Sequence, residues 1–318
     1  MPSSAATKSL LALLVLLVTP ACNCGATLDL TDAGPGTDAG GGKDAGGSDA
    51  GADAGSCIPP DVLITLDRTL TMHRTAEGLT PADTDAGHAT AKWTMAINGI
   101  EELVAPPLDA TVRFGLELWP RAEPGCVTLS QRIQGVNATN PSCEGPEIPI
   151  EPALGTGAAI RALLDPETTV ICTSTPTGAA LLGARSFLES RRDAGQAQYV
   201  VLVTDGADWD FSCPNPNPLG VVDGLSDAGI FTLVVGFSAE MSVSNGVGAA
   251  FLNDMACAGR TAKNFNSTCV FQAASGNYRA RNPDAGGADA LFFTATNAAE
   301  LASSLHTFSQ TVCCGCIN

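Results

Sequence analysis

Three short stretches of this chain of 318 residues gather oxygen-bearing side chains where a fold could bring them together. Asp67-Arg68-Thr69-Leu70-Thr71-Met72 sets a carboxylate and two hydroxyls at alternate positions, so a turn after Asp67 can converge them on one centre. Thr204-Asp205-Gly206 offers a second carboxylate, followed by a glycine that permits a tight turn. Thr173-Ser174-Thr175-Pro176-Thr177 is a hydroxyl-rich loop ahead of a helical pattern, and Thr177 reads as the N-cap of that helix. Two carboxylates with neutral hydroxyls suit a hard cation such as Mg²⁺ better than zinc. A cation with an open position could also activate water, which keeps a metal-dependent hydrolase in view. The general base that hydrolysis requires is not evident: His73 reads as a solvated loop residue, and His88 and His306 fall in helical stretches where packing is the ordinary explanation. A metal that only staples loops is a third reading.

For these residues to meet, the segments before them must be strands ending at one rim of a sheet. Asp61 to Leu66 reads as the first strand, and the continuous apolar runs Tyr199 to Val203 and Phe231 to Val235 suit central strands. Trp93, Ala96, Ile97, Ile100, Leu103 and Val104 recur at helical spacing, predicting a helix from about residue 89 to 104 that Pro106-Pro107 ends. Thr111 to Trp119 alternates apolar and polar residues as a half-exposed edge strand would. Ala180, Leu181, Ala184, Phe187 and Leu188 mark a second helix. Leu291 to Thr294 reads as a last strand, followed by a helix carrying Leu301, Leu305 and Phe308. Strands interleaved with crossover helices predict one α/β domain built on a mostly parallel sheet. In such sheets ligands bind beyond the carboxyl ends of the strands, where the three stretches lie.

The order of these segments resembles the von Willebrand factor type A family, integrin I domains included. Its metal-ion-dependent adhesion site uses Asp-x-Ser-x-Ser, a threonine of a later loop and an aspartate ending a central strand. The resemblance implies metal ligands at Asp67, Thr69, Thr71, Thr175 and Asp205, with Thr175 preferred to Thr173 because Ala180 and Leu181 stand where the family has a small and then an aliphatic residue. Threonine replaces both serines of the first segment, keeping each hydroxyl and adding two methyl groups near the ion. The resemblance spans most of residues 58 to 312. It implies a doubly wound, mostly parallel sheet with one antiparallel edge strand and helices on both faces, a Rossmann-like arrangement. The implied function is binding rather than catalysis: Mg²⁺, or Mn²⁺ or Ca²⁺, would take up the carboxylate of a protein ligand.

Composition narrows the partners and the compartment. Thirty-three acidic against 16 basic residues give a net charge of -17, which repels nucleic acid and anionic lipid heads. Twelve cysteines point to an oxidising compartment. Lys8 and the apolar run Leu10 to Val18, too short to span a bilayer, precede Thr19-Pro20-Ala21-Cys22. This start resembles a bacterial lipoprotein signal peptide over residues 1–21, with Cys22 lipidated and the membrane reached only through that anchor; cleavage after Ala21 by an ordinary signal peptidase would give a secreted form instead. From Thr31 to Ser56 five Asp-Ala-Gly triplets and little apolar surface make residues 22–56 a tether, leaving 57–318 for the domain. The ten cysteines beyond Cys24 allow five bridges. Local pairs are expected, Cys126 with Cys143 and Cys257 with Cys269, while Cys313, Cys314 and Cys316 could reach Cys57, Cys172 or Cys213.

Overall fold

The computed structural model describes residues 58–139, 146–206, 216–237, 247–286 and 289–295, with a few single residues beyond. The leader, the tether, Cys22, Cys24, Cys57, Cys143, Cys213, the cysteines after residue 310 and the expected closing helix at Leu301, Leu305 and Phe308 lie outside them.

Six strands form the main sheet: β1 (Asp61–Asp67), β2 (Arg113–Trp119), β3 (Glu147–Ala153), β4 (Gln198–Thr204), β5 (Ile230–Phe237) and β8 (Phe293–Ala295). Their spatial order is β3-β2-β1-β4-β5-β8. Every neighbouring pair is parallel except β2 with β3. β1 and β4, the apolar runs seen in the sequence, are buried along their whole length, as strands covered on both faces must be. The remaining pair, β6 (Cys269–Gln272) and β7 (Asn277–Ala280), makes a separate antiparallel hairpin.

Side-chain alternation divides the core between two faces. Val62, Ile64 and Leu66 of β1 pack with Trp93, Ala96, Ile97 and Ile100 of α2 (Lys92–Leu103) on one. Leu63, Val200, Leu202 and Val234 pack on the other against α5 (Thr177–Ser190), α6 (Pro218–Asp227) and α7 (Val247–Ala258). The sheet is therefore wound with helices on both sides. The helix predicted from about residue 89 to 104 is α2, which starts at Lys92, and a separate short helix, α1 (Asp85–His88), capped by the Thr84 hydroxyl, precedes it.

The edge assignment is corrected. Arg113–Trp119 is an inner strand between β1 and β3, and the antiparallel edge is β3, whose side chains are mostly exposed or half-buried. The polar and small positions that made β2 resemble an edge are enclosed: Glu117 is fully buried, and a Cβ at Gly115 would stand 2.6 Å from the Pro152 side chain of β3. Thr177 is likewise the first residue of α5 rather than its cap, since Pro176 takes the cap position.

Cys257 and Cys269 are bonded, tying α7 to the hairpin. Cys126, however, pairs with Cys172, not with Cys143. Val127 and Ile171 exchange backbone hydrogen bonds of 2.9 and 2.8 Å, which brings the neighbouring cysteines to a Cα separation of 4.5 Å. With its ends 46 positions apart, such a bridge contributes about 4 kcal/mol through loss of unfolded-state freedom. Among the described residues no helix is long and apolar enough to cross a membrane.

Candidate metal centre

β1 and β4 are neighbours, and the chain leaves them toward opposite sides of the sheet: β2 lies beyond β1, β5 beyond β4. The crevice at their carboxyl ends is the switch point where open α/β sheets place ligands. Asp67 ends β1, and Asp205 directly follows β4.

Local hydrogen bonding explains how Asp67 aims its followers. Its Oδ1 accepts the Thr69 backbone N–H at 2.7 Å, a turn that an aspartate makes with the residue two ahead. Thr69 then precedes a short 3₁₀ helix, Leu70–His73, whose tight winding holds Thr71 beside Thr69. The two hydroxyls are 3.0 Å apart, and the Thr71 hydroxyl donates to Asp205 Oδ1 at 2.9 Å, so the Thr69 hydroxyl donates to that of Thr71. On the β4 side the Thr204 hydroxyl donates to Asp67 Oδ2 at 2.7 Å. Asp67, Thr69, Thr71 and Asp205, four of the five ligands the sequence suggested, thus belong to one linked cluster. Asp67 is 0% exposed and Asp205 6%, whereas Thr71 is exposed and opens the cluster to solvent.

Thr175, the fifth, lies on the adjoining loop. The Cys172 N–H donates to the Arg68 carbonyl at 2.8 Å, which runs that loop alongside the first segment, and Ser174 takes a positive φ of 76°. Thr175 is half-buried, and no hydrogen bond joins its hydroxyl to the other four.

Two residues that the sequence did not single out complete the site. Thr204 orients Asp67 as described. Lys92, 0% exposed at the start of α2, places its Nζ 2.6 Å from Asp205 Oδ2. A lysine at a helix N-terminus faces the positive end of the helix dipole, so its type and position were a signal that an anion must lie close by. Arg68, also buried, turns away from the cluster to Glu147 at 2.7 Å and to the Pro120 carbonyl.

The electrostatics favour a cation. Burial, then the neighbouring charge of Asp205, push the Asp67 carboxyl up to about 7, against hydrogen bonds from Thr204 and Thr69 that lower it. Two buried carboxylates facing each other are discharged by a cation more completely than by one ammonium. The spacing fits as well: metal–oxygen distances of about 2.0–2.1 Å place adjacent oxygens of an octahedral Mg²⁺ shell roughly 2.9–3.0 Å apart. The hydroxyls of Thr69 and Thr71 and Oδ1 of Asp205 stand at 3.0 and 2.9 Å along the chain of contacts.

His73 corrects the expectation of a solvated loop residue. It is 3% exposed, its Nδ1 is bonded to the Leu70 carbonyl, and burial lowers its pKa. His88 lies between Asp83 and Glu167 at 3.1 and 3.0 Å. Neither imidazole is hydrogen-bonded to the oxygen cluster.

Comparison with known proteins agrees on part of the chain. The family model of the von Willebrand factor type A domain matches residues 159–277, a stretch that holds Thr175 and Asp205 but not Asp67, Thr69 and Thr71. No curated protein matches in sequence. Among solved structures, the minor pilin PilB of Streptococcus sanguinis is 14% identical with a TM-score of 0.49, over 82% of this chain and 62% of its own. The pilus adhesin SpaC of Lactobacillus rhamnosus GG is 12% identical with a TM-score of 0.48, over 80% and 30%. Manganese-loaded TRAP protein of Plasmodium vivax is 16% identical with a TM-score of 0.37, over 57% and 58%. This chain spans less than two thirds of each of the three, and the fold rests on its own strand order.

Proposed function

We propose that the domain binds a partner through a divalent cation held by Asp67, Thr69, Thr71 and Asp205, with Thr175 of the adjoining loop as a further ligand. The observation that carries this reading is the continuous run of oxygens, spaced 2.9–3.0 Å, at the ends of two neighbouring strands. Mg²⁺ suits the all-oxygen donor set best, with Mn²⁺ and Ca²⁺ as alternatives; when bound, the ion supplies a positive charge at the rim that attracts a carboxylate on a protein ligand. The protein's part is to hold the oxygens in place, and burial of Asp67 keeps water from competing for it. The absence of a hydrogen bond from His73 or His88 to the cluster favours binding over metal-dependent hydrolysis.

Calorimetry with MgCl₂ or MnCl₂ on wild type and Asp67→Asn, both verified as folded, is expected to give a loss of about 100-fold or more in the variant, since even indirect supports of a ligand cost 10–100-fold. Capture of a partner from envelope extract should require Mg²⁺ and fail with chelator. Equal metal affinity in the two proteins would end the reading; a melting temperature that drops with chelator while capture persists would leave a metal that only staples loops.

We place the protein at the bacterial cell envelope, held through Cys22 and displayed on the acidic tether. A radiolabelled fatty acid is expected to mark wild type and not Cys22→Ala, and equal labelling would refute the anchor.

A further inference from the structure

Lys92 is the feature that cation binding alone does not call for. Its ammonium lies 2.6 Å from Asp205 Oδ2, and both side chains are almost wholly enclosed, at 1% and 2% exposure. It arises from α2, packed on the face of the sheet opposite α5, so it reaches the crevice from an element other than those that carry the five oxygen ligands. Nor does Asp205 give up its place in the cluster to meet it: Oδ1 accepts from Thr71 while Oδ2 faces the ammonium. One carboxylate is thereby shared between the oxygen cluster and a cation that belongs to the protein.

We infer that Lys92 is a built-in counter-cation that adds positive charge to the loaded site and so makes the site select an anionic partner. This rests on the metal-binding reading above. Asp67 and Asp205 bring negative charge to the crevice, and the Lys92 ammonium offsets part of it. A divalent ion then leaves more positive charge at the rim, which a carboxylate from outside compensates in a poorly screened environment, where an uncompensated charge is costly. Without the ammonium the two aspartates offset more of the ion's charge, and an incoming anion gains less. Lys92 therefore weakens the hold on the metal and strengthens the hold on the anion, two effects of opposite sign. A residue that merely supports the shape of the site would weaken both when removed.

The test is Lys92→Met, which keeps the length and apolar stem of the side chain and removes the charge, with Lys92→Gln as a second variant should the first not fold. Mg²⁺ affinity is read by calorimetry, and acetate binding to the Mg²⁺-saturated protein by chemical-shift titration. With a unit charge and a divalent ion a few ångströms apart at an effective dielectric constant of about 20, Mg²⁺ should bind at least about tenfold more tightly in the variant. Acetate should bind several-fold more weakly. Mg²⁺ affinity that stays level or falls, or acetate affinity that stays level or rises, overturns the inference. Retention of full Mg²⁺ affinity by Asp67→Asn would instead overturn the metal site itself, which keeps the two failures distinct.

Discussion

Asp205→Ala is expected to destabilise the metal-free protein by about 3–5 kcal/mol, the cost of removing one member of an enclosed ion pair. The substitution takes away the carboxylate 2.6 Å from the Lys92 ammonium, which is 0% exposed and cannot swing into water without unpacking the start of α2. It also removes the acceptor of the Thr71 hydroxyl. Most of the cost lies in depriving the enclosed ammonium of this carboxylate and little in any net strength of the pair, because replacing both members by apolar groups is often neutral. The double variant Lys92→Met/Asp205→Ala should therefore regain most of the lost stability. Urea unfolding of the four proteins of this cycle, in chelator, measures both quantities; a double variant as unstable as Asp205→Ala would show that the ammonium is not the source of the cost.

Asp67→Asn should act with the opposite sign at neutral pH. The Asp67 carboxyl is raised to about 7 by burial and by the charge of Asp205, from an ordinary value of 3.8. A group that holds its proton more tightly in the folded state stabilises most fully below its unfolded pKa, and that contribution is lost as pH rises through the folded one. In chelator, the stability of wild type relative to Asp67→Asn should thus fall as pH is raised from about 4 to about 7 and then level. At about 1.4 kcal/mol per pKa unit the fall amounts to a few kcal/mol. With saturating Mg²⁺ the trend should shrink or reverse, since the ion favours the ionised carboxylate. Denaturant titrations across this pH range decide the matter: a difference that rises with pH in chelator would contradict the raised pKa of Asp67.

Much of this was readable from the sequence, for identifiable reasons. The segment before Asp67 read as the first strand and the continuous apolar run ending at Val203 as a central one, and strand ends in a parallel sheet share one rim, so pattern allowed Asp67, Thr69, Thr71 and Asp205 to meet and the resemblance joined them in one set. Where pattern failed, long-range packing had overridden local character. Glu117 and Gly115 gave β2 an alternation that resembles exposure, yet β3 and the helices enclose it, with Pro152 pressed against Gly115. β3 itself, with prolines at 149 and 152, carries no clear strand signal. Cys126 found a partner 46 residues away because Val127 and Ile171 pair, which local spacing could not reveal. Lys92 was not singled out because Asp205, which it faces, lies far along the chain. Thr175 was placed by resemblance, and its hydroxyl is not bonded to the cluster.

The hydrogen bond between Thr71 and Asp205 spans 134 positions of sequence. Closing so long a loop costs entropy that local contacts cannot offset, so contacts of this kind form late in folding. A nascent chain with only β1 to β3 in place would carry Asp67 and both hydroxyls without their counterpart from beyond β4, and its grip on a cation would be slight. On the proposed function, capture of an ion would therefore report that β4 has joined β1, and a chain halted before that point would be unable to engage a partner prematurely.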